Sequence, residues 1–288
     1  MKPIARAARF LSTLSLLLLA GCATHSPPAR TWSRFFAFGD SYTDSGAGYV
    51  DGDGPTAIVY VARDLGLPFT HATDPAAAGK GLNFAVSGAQ TGESEGRPVK
   101  DALLGRGMQN QARDFAARVQ AGAVTFDPAT TLFFIAGGLN DRRLATETTL
   151  DNLTKIVRQL HAAGARHFML ALLPRKIPPF APVGERLSPA IATLPEKLRA
   201  EFPAARFHLS RWGEHMDAVI AEPARFGILN AKDPCAGRAL FDQDATPRGD
   251  PATYFFYHEG HPSTAVQRIV ADELRREILA AAPGTGAR

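Results

Sequence analysis

Four short segments of the chain carry groups suited to acyl transfer. The first, Phe38-Gly39-Asp40-Ser41-Tyr42-Thr43-Asp44-Ser45-Gly46, places a Ser hydroxyl just past an apolar run, at the edge of a buried strand, where a nucleophile must stand. The second, Gly81-Leu82-Asn83-Phe84-Ala85-Val86-Ser87-Gly88-Ala89, brings a Gly to a strand end, where its backbone N–H is available to an oxyanion. The third, Gly137-Gly138-Leu139-Asn140-Asp141, adds an amide side chain that donates a second N–H. The fourth, Gly260-His261-Pro262-Ser263, offers a general base just ahead of a Pro suited to the first position of a helix. Each segment taken singly also reads as a turn or a cap. Four reactive or donor groups at successive strand ends are not accounted for by turns alone.

The elements that must position these groups alternate. Arg34 to Phe38, Leu82 to Val86, Thr131 to Ala136, His167 to Leu173 and Arg206 to Leu209 read as short buried strands. Thr56 to Leu65, Met108 to Ala121, Leu150 to Ala163, Pro189 to Ala200 and Ser263 to Ala281 carry helical spacing. Such alternation predicts a central parallel sheet with helices on both faces, a three-layer α/β/α sandwich of flavodoxin-like type, with its chemistry at the carboxyl ends of the strands. Residues 66 to 80 and 232 to 253 are Gly/Pro/Asp-rich loops long enough to shape a pocket. The aromatic run Tyr254-Phe255-Phe256-Tyr257 reads as a buried strand beside His261. Asp44 and Asp141 are expected to brace their own loops, and His71, His161, His167 and His208 to pack or face solvent.

With these segments in this order, the chain resembles the SGNH, or GDSL, hydrolases, a family of lipases and esterases, from Phe36 to about Leu279. Gly54-Pro55 followed by Ile58-Val59-Tyr60-Val61-Ala62 is similar to the family's Asn-Gly-Pro segment and the helix after it. The resemblance implies a serine esterase in which Ser41 is the nucleophile and His261 the general base. It also implies an oxyanion hole made by the backbone N–H groups of Ser41 and Gly88 and the Asn140 side chain. No cofactor is implied, and the 8 His form no His-Glu-x-x-His or other metal-ligand spacing.

One position departs from the family pattern. The triad Asp usually stands three residues before the catalytic His, and here that residue is His258. Three substitutes are open. The Glu259 carboxylate is one residue along, although adjacent side chains on extended chain point to opposite sides. A backbone carbonyl near His258 could accept from His261 Nδ1–H, leaving a Ser-His dyad. An acid from the preceding loop, Asp242, Asp244 or Asp250, is the third.

The N-terminus reads as a targeting segment. Met1 to Arg9 is basic, Phe10 to Ala20 is apolar, and Leu19-Ala20-Gly21-Cys22 resembles a bacterial lipoprotein box whose Cys22 thiol takes a diacylglycerol. Residues 1–22 are then the leader with its lipidation site, 23–32 a tether, 33–282 one hydrolase domain and 283–288 a tail. Ala23 after the Cys, rather than Asp, points to the outer membrane, with the domain facing the periplasm or the exterior. Lys2, Arg6 and Arg9 lie in that leader and account for most of the net charge of +4, so the charge argues for no nucleic-acid partner. With Cys22 lipidated, Cys235 is left as a lone, buried thiol among the 2 Cys. At 288 residues, 45% hydrophobic and 21% charged, the chain is globular; disorder, coiled coil and a disulfide scaffold are excluded.

The function expected is therefore a lipid-anchored monomeric esterase acting on a small-molecule, lipid or glycan ester. A carbohydrate O-deacetylase or an acyltransferase would use the same site. A non-catalytic binding lipoprotein is the alternative from another class.

Overall fold

A computed structural model describes residues 31–284. The leader, the Cys22 lipidation site and most of the tether lie outside the described residues. In chain order the first half holds β1 (Arg34–Gly39), α1 (Ala57–Asp64), β2 (Phe69–His71), β3 (Gly81–Asn83), β4 (Glu95–Val99), β5 (Ala102–Arg106), α2 (Met108–Gln120) and β6 (Thr131–Ala136). The second half holds α3 (Thr146–Ala162), β7 (His167–Ala171), α4 (Ala181–Ile191), α5 (Leu194–Glu201), β8 (Arg206–Ser210), α6 (Trp212–Ala221), β9 (Asn230–Pro234), β10 (Tyr254–His258), β11 (His261–Pro262) and α7 (Thr264–Ala280).

The main sheet is parallel, in the order β2-β3-β1-β6-β7-β8. The edge strand β2 aside, this is the doubly wound order in which the first strand lies between the second and the third, and the crevice for ligands opens at the carboxyl ends beside it. Gly39 at the end of β1 stands level with Ala136 at the end of β6. The segments carrying Ser41 and Asn140 therefore leave the sheet side by side.

Burial on both faces explains the unbroken apolar runs of β1, β6 and β7. Successive residues of β1 serve opposite sides: Phe36 and Phe38 meet Phe115 of α2 and Phe133 of β6, while Phe35 meets Phe134, which in turn meets Trp212 of α6. Helices α2 and α3 pack together over the first side, and α7 packs with α1 and α6 on the second. The three-layer α/β/α sandwich expected from the sequence is the fold observed.

Several boundaries differ from the sequence reading. The helix expected over 189–200 is two, α4 and α5, because Pro195 opens a fresh helix at its own start. The loop 66–80 contains β2, which extends the sheet through β3, and β4 with β5 forms a hairpin that residue spacing did not reveal. Pro262 lies in β11, and Ser263 caps α7 by accepting from the backbone N–H of Val266. Trp32, assigned to the tether by the sequence, belongs to the packed domain: its indole is buried and Nε1 donates to the Ile278 carbonyl at 2.7 Å.

Candidate active site

Ser41 is 8% exposed at the turn that leaves β1. Two features hold that strand end. The amide of Gln111 in α2 brackets Gly39, accepting from its N–H at 3.0 Å and donating to its carbonyl at 2.9 Å. A side chain at Gly39 would place Cβ 2.3 Å from the Ala136 carbonyl oxygen, so only glycine lets β1 and β6 run this close where they deliver their functional groups. Beyond Ser41 the Asp40 carbonyl accepts from the N–H groups of Thr43 and Asp44, which closes the turn.

Asp44 performs the bracing role expected of it. Its buried carboxylate accepts from four backbone N–H groups, Gly46, Gly48, Tyr49 and Ser87, at 2.8–3.2 Å. The last of these ties the Ser41 loop to the segment that carries Gly88. Asp141 likewise takes the N–H and hydroxyl of Thr91 and the hydroxyl of Thr149, fixing the Asn140 loop against the same segment.

These braces gather the donors the sequence singled out. The backbone N–H groups of Ser41 and Gly88 make no hydrogen bond to any described residue. Gly88 has φ of +79°, a left-handed conformation costly for other residues. Asn140 Nδ2 spends one of its two hydrogens on the Ala89 carbonyl at 2.9 Å, which leaves the other for a ligand. Ser41, Gly88, Asn140 and His261 line one cavity of about 190 Å³. Gly88, Leu104, Asn140 and Phe241 continue from it into a larger groove of about 600 Å³ that also holds Gln90, Ser94 and Arg97.

His261 Nε2 lies 2.8 Å from Ser41 Oγ. The nitrogen on the other side, Nδ1, lies 3.0 Å from the backbone carbonyl oxygen of Glu259. Of the substitutes for the missing Asp, the geometry selects that carbonyl. The Glu259 side chain is exposed, and His258 turns its Nδ1–H to Asp51 Oδ1 at 2.7 Å rather than to His261. Asp242, Asp244 and Asp250 stay exposed in their own loop, Asp242 on Lys100, Asp244 on Thr246 and Asp250 on Ala252.

Two residues that sequence reasoning missed complete the surroundings. Asp51 Oδ2 is 3.3 Å from His261 Nε2, and Arg238 Nε donates to both Asp51 oxygens at 2.8 and 3.0 Å. Arg238 Nη2 lies 2.7 Å from the Glu259 carbonyl oxygen and 2.7 Å from His261 Nδ1. A guanidinium only donates, so an Arg238 bond to Nδ1 would force the proton onto Nε2 and take His261 out of a base's role. When Nδ1–H and Nη2–H both donate to the Glu259 carbonyl, Nε2 is left as an acceptor for Ser41. The only sequence signal for Asp51 is its place in the acidic Gly-rich stretch Asp51-Gly52-Asp53-Gly54.

The charges around His261 oppose one another. Burial pushes its pKa down, Asp51 pulls it up, and Arg238 and His258 push it down again, leaving it below the usual histidine value. Burial acts on Asp51 in the raising direction, but the His261 charge, the hydrogen bond from His258 and that from Arg238 outweigh it, and the carboxyl titrates below its usual range. At neutral pH the arrangement is a neutral imidazole, a carboxylate and a guanidinium, with a Ser hydroxyl in hydrogen-bond contact.

A parallel α/β sandwich with Ser, His and three converging N–H donors at its strand ends is the architecture of a serine-type hydrolase. The model of the GDSL-like lipase/acylhydrolase family matches residues 35–274, and the chain belongs to that family of ester-hydrolysing enzymes. Among solved structures it is similar to a G-D-S-L family lipolytic protein from Veillonella parvula, at 13% identity and a TM-score of 0.46, covering 85% of this chain and 97% of that one. It is also similar to the esterase EstA from a Pseudoalteromonas species, at 13% identity and a TM-score of 0.45, and to a carbohydrate esterase family 3 protein from Talaromyces cellulolyticus, at 12% and 0.46; each match covers 85% of this chain and 96% of the other. No curated protein matches the chain.

Proposed function

We propose that the enzyme hydrolyses carboxylic esters through a Ser41 acyl-enzyme. The observation that carries this reading is the 2.8 Å contact between Ser41 Oγ and His261 Nε2. His261 takes the hydroxyl proton as Ser41 attacks the ester carbonyl, and returns it to the leaving alcohol. The N–H groups of Ser41 and Gly88 and the remaining Asn140 N–H receive the negative oxygen of the tetrahedral intermediate. Water then attacks the acyl-enzyme by the same route in reverse and frees the acid.

The shapes beside Ser41 favour a short acyl group and a larger, polar alcohol. The cavity at the nucleophile is about 190 Å³ and is lined in part by Phe180 and Phe241, whereas the adjoining groove of about 600 Å³ adds Gln90, Ser94 and Arg97 to Leu104 and Phe241. This division supports the second reading, an O-deacetylase of polyhydroxylated substrates, over a lipase for long acyl chains. Lipidation at Cys22 and attachment to the outer membrane, with the domain in the periplasm or outside, belong to the same proposal and rest on the leader sequence.

The test is hydrolysis of p-nitrophenyl esters from acetyl to dodecanoyl by residues 23–288, beside Ser41→Ala and His261→Ala. Turnover that is lost in both variants and falls beyond short acyl chains is the expected result. Equal turnover by the parent and Ser41→Ala would overturn the reading.

A further inference from the structure

We propose that the two tasks of a triad carboxylate are divided in this enzyme between two groups. The Glu259 carbonyl fixes the tautomer of His261, and Asp51, reaching in from the loop that follows the nucleophile, supplies the negative charge for the imidazolium. This assignment of Asp51 as a positioning residue rests on the Ser41–His261 reading above.

In a site with an acid three residues before the His, one carboxylate both accepts from Nδ1–H and faces the imidazolium. Here the first task is met by a neutral acceptor, the Glu259 carbonyl, 3.0 Å from Nδ1. A neutral carbonyl orients the ring but brings no charge. The charge need is also greater than usual, because Arg238 lies against the same imidazole. When Ser41 passes its proton to Nε2, the ring becomes cationic beside a guanidinium in a buried setting. Without a third group, two positive charges would share that space.

Asp51 is the carboxylate that meets this need. Its Oδ2 is 3.3 Å from Nε2 and its side chain is only 9% exposed. It is held there from two directions, by Arg238 Nε on both oxygens and by His258 Nδ1–H on Oδ1. The residue at the family's acid position therefore retains a part: His258 no longer faces His261 but holds the carboxylate that does. The remaining groups on the ring are aromatic, Tyr42 and Phe180 at 5.3 and 5.9 Å between ring centres, and neither offers an anion at neutral pH. Ser41, Tyr42, Asp51 and Arg238 are thus the polar and titratable side chains that face His261, and His258 stands behind Asp51 as a further positive neighbour when it is protonated.

The sign of each effect is fixed by geometry. Loss of the Asp51 charge makes the imidazolium harder to form, so kcat falls and the pH at which His261 protonates moves down. Loss of the Arg238 charge moves it up. A merely structural role for either residue would lower the active fraction and leave the acid limb of the profile in place.

The experiment measures kcat against pH for Asp51→Asn and Arg238→Gln, each normalised to active sites by titration with a serine-reactive phosphonate. Ser41→Ala is the control, and its turnover tests the Ser41–His261 reading independently of Asp51. For Asp51→Asn the expected result is a loss of kcat of about tenfold or more and an acid limb lower by about 1 pH unit, the scale on which a close opposite charge moves a titration. For Arg238→Gln the limb moves in the opposite direction. An Asp51→Asn enzyme with the parent's kcat, or with an unmoved acid limb, would overturn the proposal. Should Asp51→Asn not fold, the Arg238→Gln limb decides: an upward shift supports the charge balance, and an unmoved or lowered limb refutes it.

Discussion

The hydroxyl of Tyr42 donates to the carbonyl oxygen of Gly260. Tyr42 follows the nucleophile and Gly260 precedes the base, so one buried hydrogen bond joins two segments that lie 218 residues apart in the chain. It sets the separation of Ser41 and His261 through their own neighbours. Tyr42→Phe keeps the ring and strands the carbonyl. Stability should fall by about 1–3 kcal/mol, the cost of an unsatisfied buried acceptor, and kcat by about tenfold as the two side chains lose register, since misplacement on the 1 Å scale costs up to about 10². Urea denaturation and steady-state kinetics check both; parent-like values in both would deny the bond its role.

Asn140→Ala removes a donor that touches only the Ala89 carbonyl and the ligand space. Loss of one oxyanion donor is expected to lower kcat by about 10²–10³ with little change in KM, because the donor meets its partner only once charge has developed. A rise in KM at constant kcat would place Asn140 in ground-state binding.

The Glu259 side chain is exposed while its carbonyl faces His261 Nδ1. Glu259→Gln leaves that carbonyl in place, so kcat and its pH profile are expected to stay at parent values. A loss of turnover would return the side-chain carboxylate to the list of acids.

Asp40 makes stability depend on pH. Burial is the main cause that pushes its carboxyl up to about 7 from an ordinary 3.8, and Oδ2 has no hydrogen-bond partner among the described residues. The folded chain keeps this proton up to about pH 7 and the unfolded chain releases it near 3.8. Its contribution is therefore complete below about pH 4 and is lost as pH rises through about 7. Asp40→Asn should reduce the difference between urea midpoints measured at pH 5 and pH 8; an unchanged difference would refute a protonated Asp40.

What could be read from the sequence follows from how each feature is encoded. The strands β1, β6 and β7 are buried on both faces of the sheet or nearly so, and such burial writes itself as short unbroken apolar runs, whereas the edge strand β8 buries only Phe207 and Ser210. Ser41 and Asn140 are legible because they follow β1 and β6, Gly88 because it ends the buried run 81–87, and His261 because it stands just ahead of the Pro and the helix α7. The hairpin of β4 and β5 is not, since Glu95-Gly96-Arg97-Pro98-Val99 is largely exposed and carries no alternation. Asp51 is hidden for another reason. Its partners His258 and Arg238 are 207 and 187 residues away, and no spacing within one segment records a contact made only when loops from both ends of the chain meet.

Trp32 gives the domain an orientation. Its bond to the Ile278 carbonyl fixes where the chain enters, at the amino-terminal edge of the sheet, while Ser41 stands past the opposite end of β1, roughly 20 Å away along six strand residues. Whatever holds the chain upstream holds it by its base. If Cys22 carries the proposed anchor, the tether meets the domain at the end of β1 opposite Ser41.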